Sequence, residues 1–134
     1  MAILGLDLGE KRIGVAVNLT EKFVQAKEII EYNNFDEVID DLKQTIINYQ
    51  IEKIVVGLPR SFSGEENQQS KKIRKMANLI AVKLNKKIIF VNEILSTKIA
   101  AQNLSKKNQR NKLDSESAKI ILETYLENKN QYNE

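Results

Sequence analysis

Of the 18 acidic residues in this 134-residue chain, three occupy positions that a solvated surface does not explain. Asp7 stands inside an apolar run, Ile3-Leu4-Gly5-Leu6-Asp7-Leu8-Gly9. Glu93 follows a second apolar run and is the one acid, against twelve Lys and Arg, in residues 71–112. Asp114 opens an apolar-periodic segment just beyond a basic stretch. Each has a plain reading alone: a buried Asp held by backbone donors or by Lys11 or Arg12, a strand-end Glu, and a helix N-cap. Together they suggest more. Three carboxylates brought close repel one another and resist ionising unless cations sit between them, so a convergent cluster implies metal binding. The chain has no His and no Cys, which removes nearly all zinc chemistry and the histidine-based nucleophile triads. Oxygen donors suit a hard cation, Mg²⁺ or Mn²⁺. A metal-bound water is a usable nucleophile near neutral pH, which makes phosphodiester hydrolysis the natural reaction.

The elements that must position these acids are legible from periodicity. Ala2–Leu8 and Arg12–Leu19 read as strands joined by a short Gly9–Lys11 turn, and Phe23–Ile30 as a third. In the first strand Ile3, Gly5 and Asp7 share one face, and Leu4, Leu6 and Leu8 the other, so the strand is central and Asp7 is expected to be buried. Asn34 caps a helix reaching about Tyr49, with Asp36 and Glu37 in its first turn. Lys53–Gly57 is a short strand that Pro59 stops, and Leu58–Gly64 is a loop. Ser63 and Glu66 form a capping-box pattern for a helix with an Ile73, Met76, Ala77, Ile80 and Leu84 stripe. Lys87–Asn92 is a fifth strand, Ser96–Ser105 a short helix, and Lys106–Lys112 a basic loop. A final helix begins at Asp114 and buries Ala118, Ile121, Leu122 and Tyr125, before a tail that frays at about residues 128–134. The expectation is one α/β domain spanning residues 1–134. It has a mixed five-stranded sheet, three strands antiparallel and then alternating α and β, with helices on both faces. Sites in such sheets lie beyond the carboxyl ends of the strands, where Asp7 and Glu93 fall.

The formal charge of +3 hides an asymmetry: net −5 over residues 1–70, +11 over 71–112 and −3 over 113–134. The basic block suggests a nucleic-acid partner held through its phosphates. Seventeen Lys against four Arg also fits an ordinary solvated surface with a lysine-biased composition. Phe90 is the one aromatic in the block, so base stacking on a single strand is not indicated. No apolar run approaches the roughly 18 residues of a membrane span, and the absence of cysteine fits the cytoplasm. No interface signature separates a monomer from a homodimer.

Four motifs in order resemble the YqgF (RuvX) family of ribonuclease H-like proteins, described both as Holliday junction resolvases and as pre-16S rRNA nucleases. They are Gly5-Leu6-Asp7-Leu8-Gly9 with Arg12-Ile13-Gly14-Val15-Ala16, then Gly57-Leu58-Pro59 with Gly64, then Glu93-Ile94-Leu95-Ser96-Thr97, and last Asp114-Ser115-Glu116-Ser117-Ala118. The resemblance spans Ile3 to about Leu126. It implies a ribonuclease H-like fold and makes Asp7, Glu93 and Asp114 the metal-binding catalytic carboxylates. It places Arg12, the Gly57–Arg60 loop, Ser96 and Thr97 near the substrate. Lys11, Lys106, Lys107, Arg110 and Lys112 are further candidates for phosphate contact. Three positions depart from the family pattern: Asn92 for Asp, Ile94 for Arg and Ser117 for Ala. Loss of the Arg removes one candidate phosphate contact. Glu116, two residues from Asp114, points well away from it on a helix and is not assigned.

The expected activity is a Mg²⁺- or Mn²⁺-dependent nuclease acting on precursor rRNA, with resolution of branched DNA as the alternative. A non-catalytic nucleic-acid-binding domain is the reading from another class, and metal dependence separates it. An actin-like ATPase or sugar kinase also begins with a strand, an Asp and a glycine hairpin, but it needs a second lobe that a single domain of this size is not expected to supply.

Overall fold

The computed structural model describes residues 2–18, 20, 23–60, 67–94 and 110–128, without the side chains of 60, 93, 94 and 110–115. β1 (Ala2–Leu8), β2 (Arg12–Asn18) and β3 (Val24–Glu31) precede α1 (Phe35–Tyr49), β4 (Ile51–Arg60), α2 (Gln68–Leu84), β5 (Lys87–Ile94) and α3 (Arg110–Glu127). The sheet order is β3-β2-β1-β4-β5. β1 pairs antiparallel with β2 (Leu6↔Val15, Asp7↔Gly14) and parallel with β4 (Leu6↔Val56); β4 pairs parallel with β5 (Val56↔Phe90). The expected mixed sheet is present, and β1 is at its centre.

Strand alternation divides the core. Leu4, Leu6, Leu8, Ile13 and Val15 face α1 and α2, meeting Val38, Leu42, Ile73, Ala77 and Ile80. Ile3, Ala16, Val55 and Val91 face α3, meeting Ala118, Ile121, Leu122 and Tyr125. The four α3 residues expected to point inward are all buried. α3 approaches β1 at Gly5, where an added Cβ would stand 2.9 Å from Leu122 Cβ and 3.1 Å from the Ala118 carbonyl oxygen. Gly5 is therefore the notch that seats this helix.

Short links hold the layers in place. Asn34 caps α1, accepting from the Asp36 N–H at 2.9 Å. Gln50 (φ 53°) and Asn85 (φ 52°) take left-handed backbone to turn α1 into β4 and α2 into β5.

Several expected boundaries move. β4 runs from Ile51 to Arg60, so Pro59 lies inside it and does not stop it. The β1 register ends at Leu6↔Val56, so among the described residues β4 beyond Val56 pairs with β5 alone and one side has no ladder to break. The Pro59 carbonyl accepts from Ser70 Oγ. The cap of α2 is Asn67, whose side chain accepts from the Ser70 N–H at 2.9 Å, rather than Ser63 with Glu66. β5 continues through Glu93 to Ile94. α3 begins at Arg110, four residues before Asp114, which takes Arg110 and Lys112 out of the expected loop. The expected helix over residues 96–105 lies outside the described residues, as does the tail beyond Asn128.

Candidate active site

Asp7 is the next-to-last residue of β1 and is half-buried rather than buried, because it stands where the layers end and solvent reaches the strand. Its antiparallel partner is Gly14. On the other side Leu6 pairs with Val56, and the next residue of β4 is Gly57. Gly14 thus faces Asp7 across the antiparallel ladder, while the parallel ladder to β4 ends one residue earlier.

Register also relates Asp7 to Glu93. Val91 faces α3, and Glu93 is two residues further along β5, opposite Pro59. Asp7 and Glu93 therefore take positions on the same face, near the carboxyl ends of two parallel-running strands with β4 between them. At about 4.8 Å per strand, the two strands are on the order of 10 Å apart. Asp114 lies in the second turn of α3 and is not its cap. It precedes Ala118 and Leu122 at four-residue spacing, which places the three positions on one helical face, the face Gly5 receives. The side chains of Glu93 and Asp114 lie outside the described residues, and among the described residues no three acids gather into a metal-sized group. Glu116 is half-buried on α3 and Ser117 is buried, its small side chain suiting the packed face.

The turn after Asp7 is built tightly. The Gly9 N–H donates to the Arg12 carbonyl at 2.9 Å, and a Cβ on Gly9 would stand 2.5 Å from that oxygen, so only glycine closes the turn. Tyr32, from the β3–α1 junction, braces it twice. Its N–H donates to the Lys11 carbonyl at 3.1 Å and its hydroxyl donates to the Gly9 carbonyl at 2.7 Å. The ring packs edge-on against Phe35, 5.8 Å between centroids, and the hydroxyl lies 3.7 Å from Met76 Sδ. Burial, and then the charge of Glu10, push the Tyr32 hydroxyl above its ordinary range. Sequence reading missed Tyr32. Its contacts to Gly9 and Met76 span 23 and 44 residues, and no local pattern announces them.

Lys11 is exposed and Arg12 half-buried beside the turn, and both line an open cleft of about 400 Å³ with Glu31, Tyr32, Asn33 and Glu37. Arg12 Nε lies 3.8 Å from Glu31 Oε1, its partner in the β2–β3 register. Across the turn, Glu10 accepts from Lys72 Nζ at 2.9 Å, and this lysine holds the Glu10 carboxyl below its ordinary range. Of the other expected contacts, Arg60, Arg110 and Lys112 are described in backbone only, and Ser96, Thr97, Lys106 and Lys107 lie outside the described residues.

The family model for RuvX, the Holliday junction resolvase, matches residues 1–128. The chain belongs to this family. A relative from Sulfurihydrogenibium, named as a candidate pre-16S rRNA nuclease, is 39% identical and the match covers 93% of this chain and 89% of that one. A Heliobacterium modesticaldum relative of the same name is 34% identical, over 96% and 91%. Among solved structures, RuvC of Thermus thermophilus superposes with TM-score 0.62 at 11% identity, over 98% and 97% of the two chains. RuvC from the same organism in complex with a Holliday junction substrate gives 0.60 at 13% identity, over 94% and 93%. The RuvX chain has the ribonuclease H-like architecture that its motifs imply.

Proposed function

We propose that this RuvX protein is a divalent-metal-dependent nuclease whose substrate is precursor 16S rRNA. The observation that carries the reading is Asp7: a half-buried carboxylate near the carboxyl end of the central strand, paired in register with Gly14. A residue with no side chain opposite Asp7 leaves room beside the carboxylate on that flank. A carboxylate that receives a cation and a phosphodiester needs that clearance.

Asp7, Glu93 and Asp114 would hold the metal, Mg²⁺ or Mn²⁺, through hard oxygen donors. When bound, the metal supplies an activated water and charge stabilisation for an in-line displacement at phosphorus. The chain's own part is positional. β1 would fix Asp7, β5 would present Glu93, and α3, seated on Gly5, would carry Asp114. Lys11 and Arg12 on the braced turn, with Arg60, Arg110 and Lys112, would hold backbone phosphates and carry no base readout.

The test is cleavage of a pre-16S rRNA fragment and a matched four-way DNA junction by purified protein, with and without Mg²⁺ or Mn²⁺. Metal-dependent cutting of the RNA, lost by at least about a hundredfold in Asp7→Asn, is the expected result. Preferential cutting of the junction transfers the activity to branched DNA, in line with the family's name. Equal cutting by wild type and Asp7→Asn would sink the proposal. Binding without cutting under any metal leaves a non-catalytic nucleic-acid-binding domain.

A further inference from the structure

The basic block seen in the sequence is divided by the fold. Residues 67–92 hold seven Lys and Arg and no acid, and most belong to α2, which packs on the sheet face opposite α3 and Asp7. Lys71, Lys72 and Lys75 occupy two successive turns of the N-terminal half of α2 and are exposed, as are Gln68 and Gln69. Beside α2 on the same face, α1 presents the exposed acids Asp36, Glu37, Asp40 and Asp41. The face is thus partitioned, with α2 attractive to a polyanion and α1 repellent.

The basic half of α2 also opens toward the sheet edge that carries Asp7. A cleft of about 340 Å³ lies between the helix and the β1–β2 turn, lined by Leu8, Gly9 and Glu10 on one side and Gln68, Lys72 and Met76 on the other. Leu8 and Asp7 are consecutive residues facing opposite sides of one strand end, so the cleft and the candidate site are separated only by the edge of the sheet. The Glu10–Lys72 pair that crosses the cleft is exposed at 74% and 64% of its two side chains. A pair so open to water is held weakly, and a phosphate can take Glu10's place on Lys72.

We propose that the N-terminal half of α2, through Lys71, Lys72 and Lys75, is a second nucleic-acid contact surface. It takes the phosphate backbone of the substrate segment that passes over the sheet edge, away from the cut. This rests on the nuclease reading and adds a length requirement to it. The two surfaces lie on opposite faces of the sheet, so a substrate too short to pass around the strand ends engages only one of them.

The experiment compares two charge-matched double variants of the full chain, Lys71→Glu/Lys75→Glu in the proposed surface and Lys43→Glu/Lys83→Glu outside it. All four lysines are exposed on helices, and melting curves verify that each variant folds. Affinity is read by fluorescence anisotropy in Ca²⁺ for a 20-base-pair RNA hairpin and for a five-nucleotide RNA, over a salt series. The expected result is a hairpin affinity about tenfold lower for Lys71→Glu/Lys75→Glu than for the control double. Its salt slope should be shallower by about 2, and the deficit should shrink on the pentanucleotide. Equal losses in the two doubles would mean a net-charge effect and overturn the surface, as would wild-type affinity in both. Wild-type protein that binds neither RNA counts against the nuclease reading itself, an outcome distinct from wild-type binding that ignores Lys71 and Lys75.

Discussion

At the residue scale the site depends on how firmly the turn after Asp7 is held. The Gly9–Arg12 hydrogen bond closes it and Tyr32 braces it from outside. Tyr32→Phe keeps the ring against Phe35 and removes one hydroxyl donor from the Gly9 carbonyl. A cost of about 1 kcal/mol follows, seen as a melting temperature lower by about 3–5 °C at pH 7. The pH dependence has a definite sign. The folded state raises the Tyr32 hydroxyl above its ordinary 10.0. The stabilisation it provides is therefore complete below that value and is lost as pH climbs through the raised one. Melting curves of wild type and Tyr32→Phe should draw together above about pH 10, where free tyrosine ionises. Asp7 stood out in the sequence as a candidate because an acid in an apolar strand is anomalous. Tyr32 was not legible, because an aromatic at a strand–helix junction has many plain uses.

At the element scale the decisive contact is α3 against β1. Gly5→Ala would put a methyl 2.9 Å from Leu122 Cβ and 3.1 Å from the Ala118 carbonyl oxygen, and backbone does not yield cheaply. A destabilisation of about 1–3 kcal/mol is expected from overpacking of this kind. The helix must shift outward by some tenths of an ångström, and Asp114 moves with it. Denaturant melts would record the stability loss. Cleavage should fall further than the folded fraction accounts for, since a small misplacement at a reacting centre is costly. A variant whose activity simply tracks its folded fraction would show that α3 does not set the site's geometry. Most elements were readable from period and caps, including the buried face of α3. The exceptions have physical causes. Pro59 is a strand breaker only where both neighbours pair, and past Val56 one does not. The cap of α2 is Asn67 because either residue type serves, and the helix begins only at Gln68.

At the scale of the whole molecule, the mixed sheet and its two helical faces followed from element order. What stayed hidden was the division of charge within one of those faces, since α1 and α2 are separated by β4 in sequence and lie side by side in the fold. The carboxylate reading makes a global prediction as well. Millimolar Mg²⁺ or Mn²⁺ should raise the melting temperature of the wild type by a few degrees, about 3 °C, and leave Asp7→Ala unmoved. An equal rise in both would place the cation elsewhere. The neighbouring α1 and α2 have one more consequence. Four exposed acids on one helix and a run of exposed lysines on the next give this face a permanent electric dipole lying in its own plane. A polyanion approaching through dilute salt exerts a torque on that dipole before any contact forms. The molecule would arrive already turned, with its lysine-bearing helix leading and the open end of its central strand close behind.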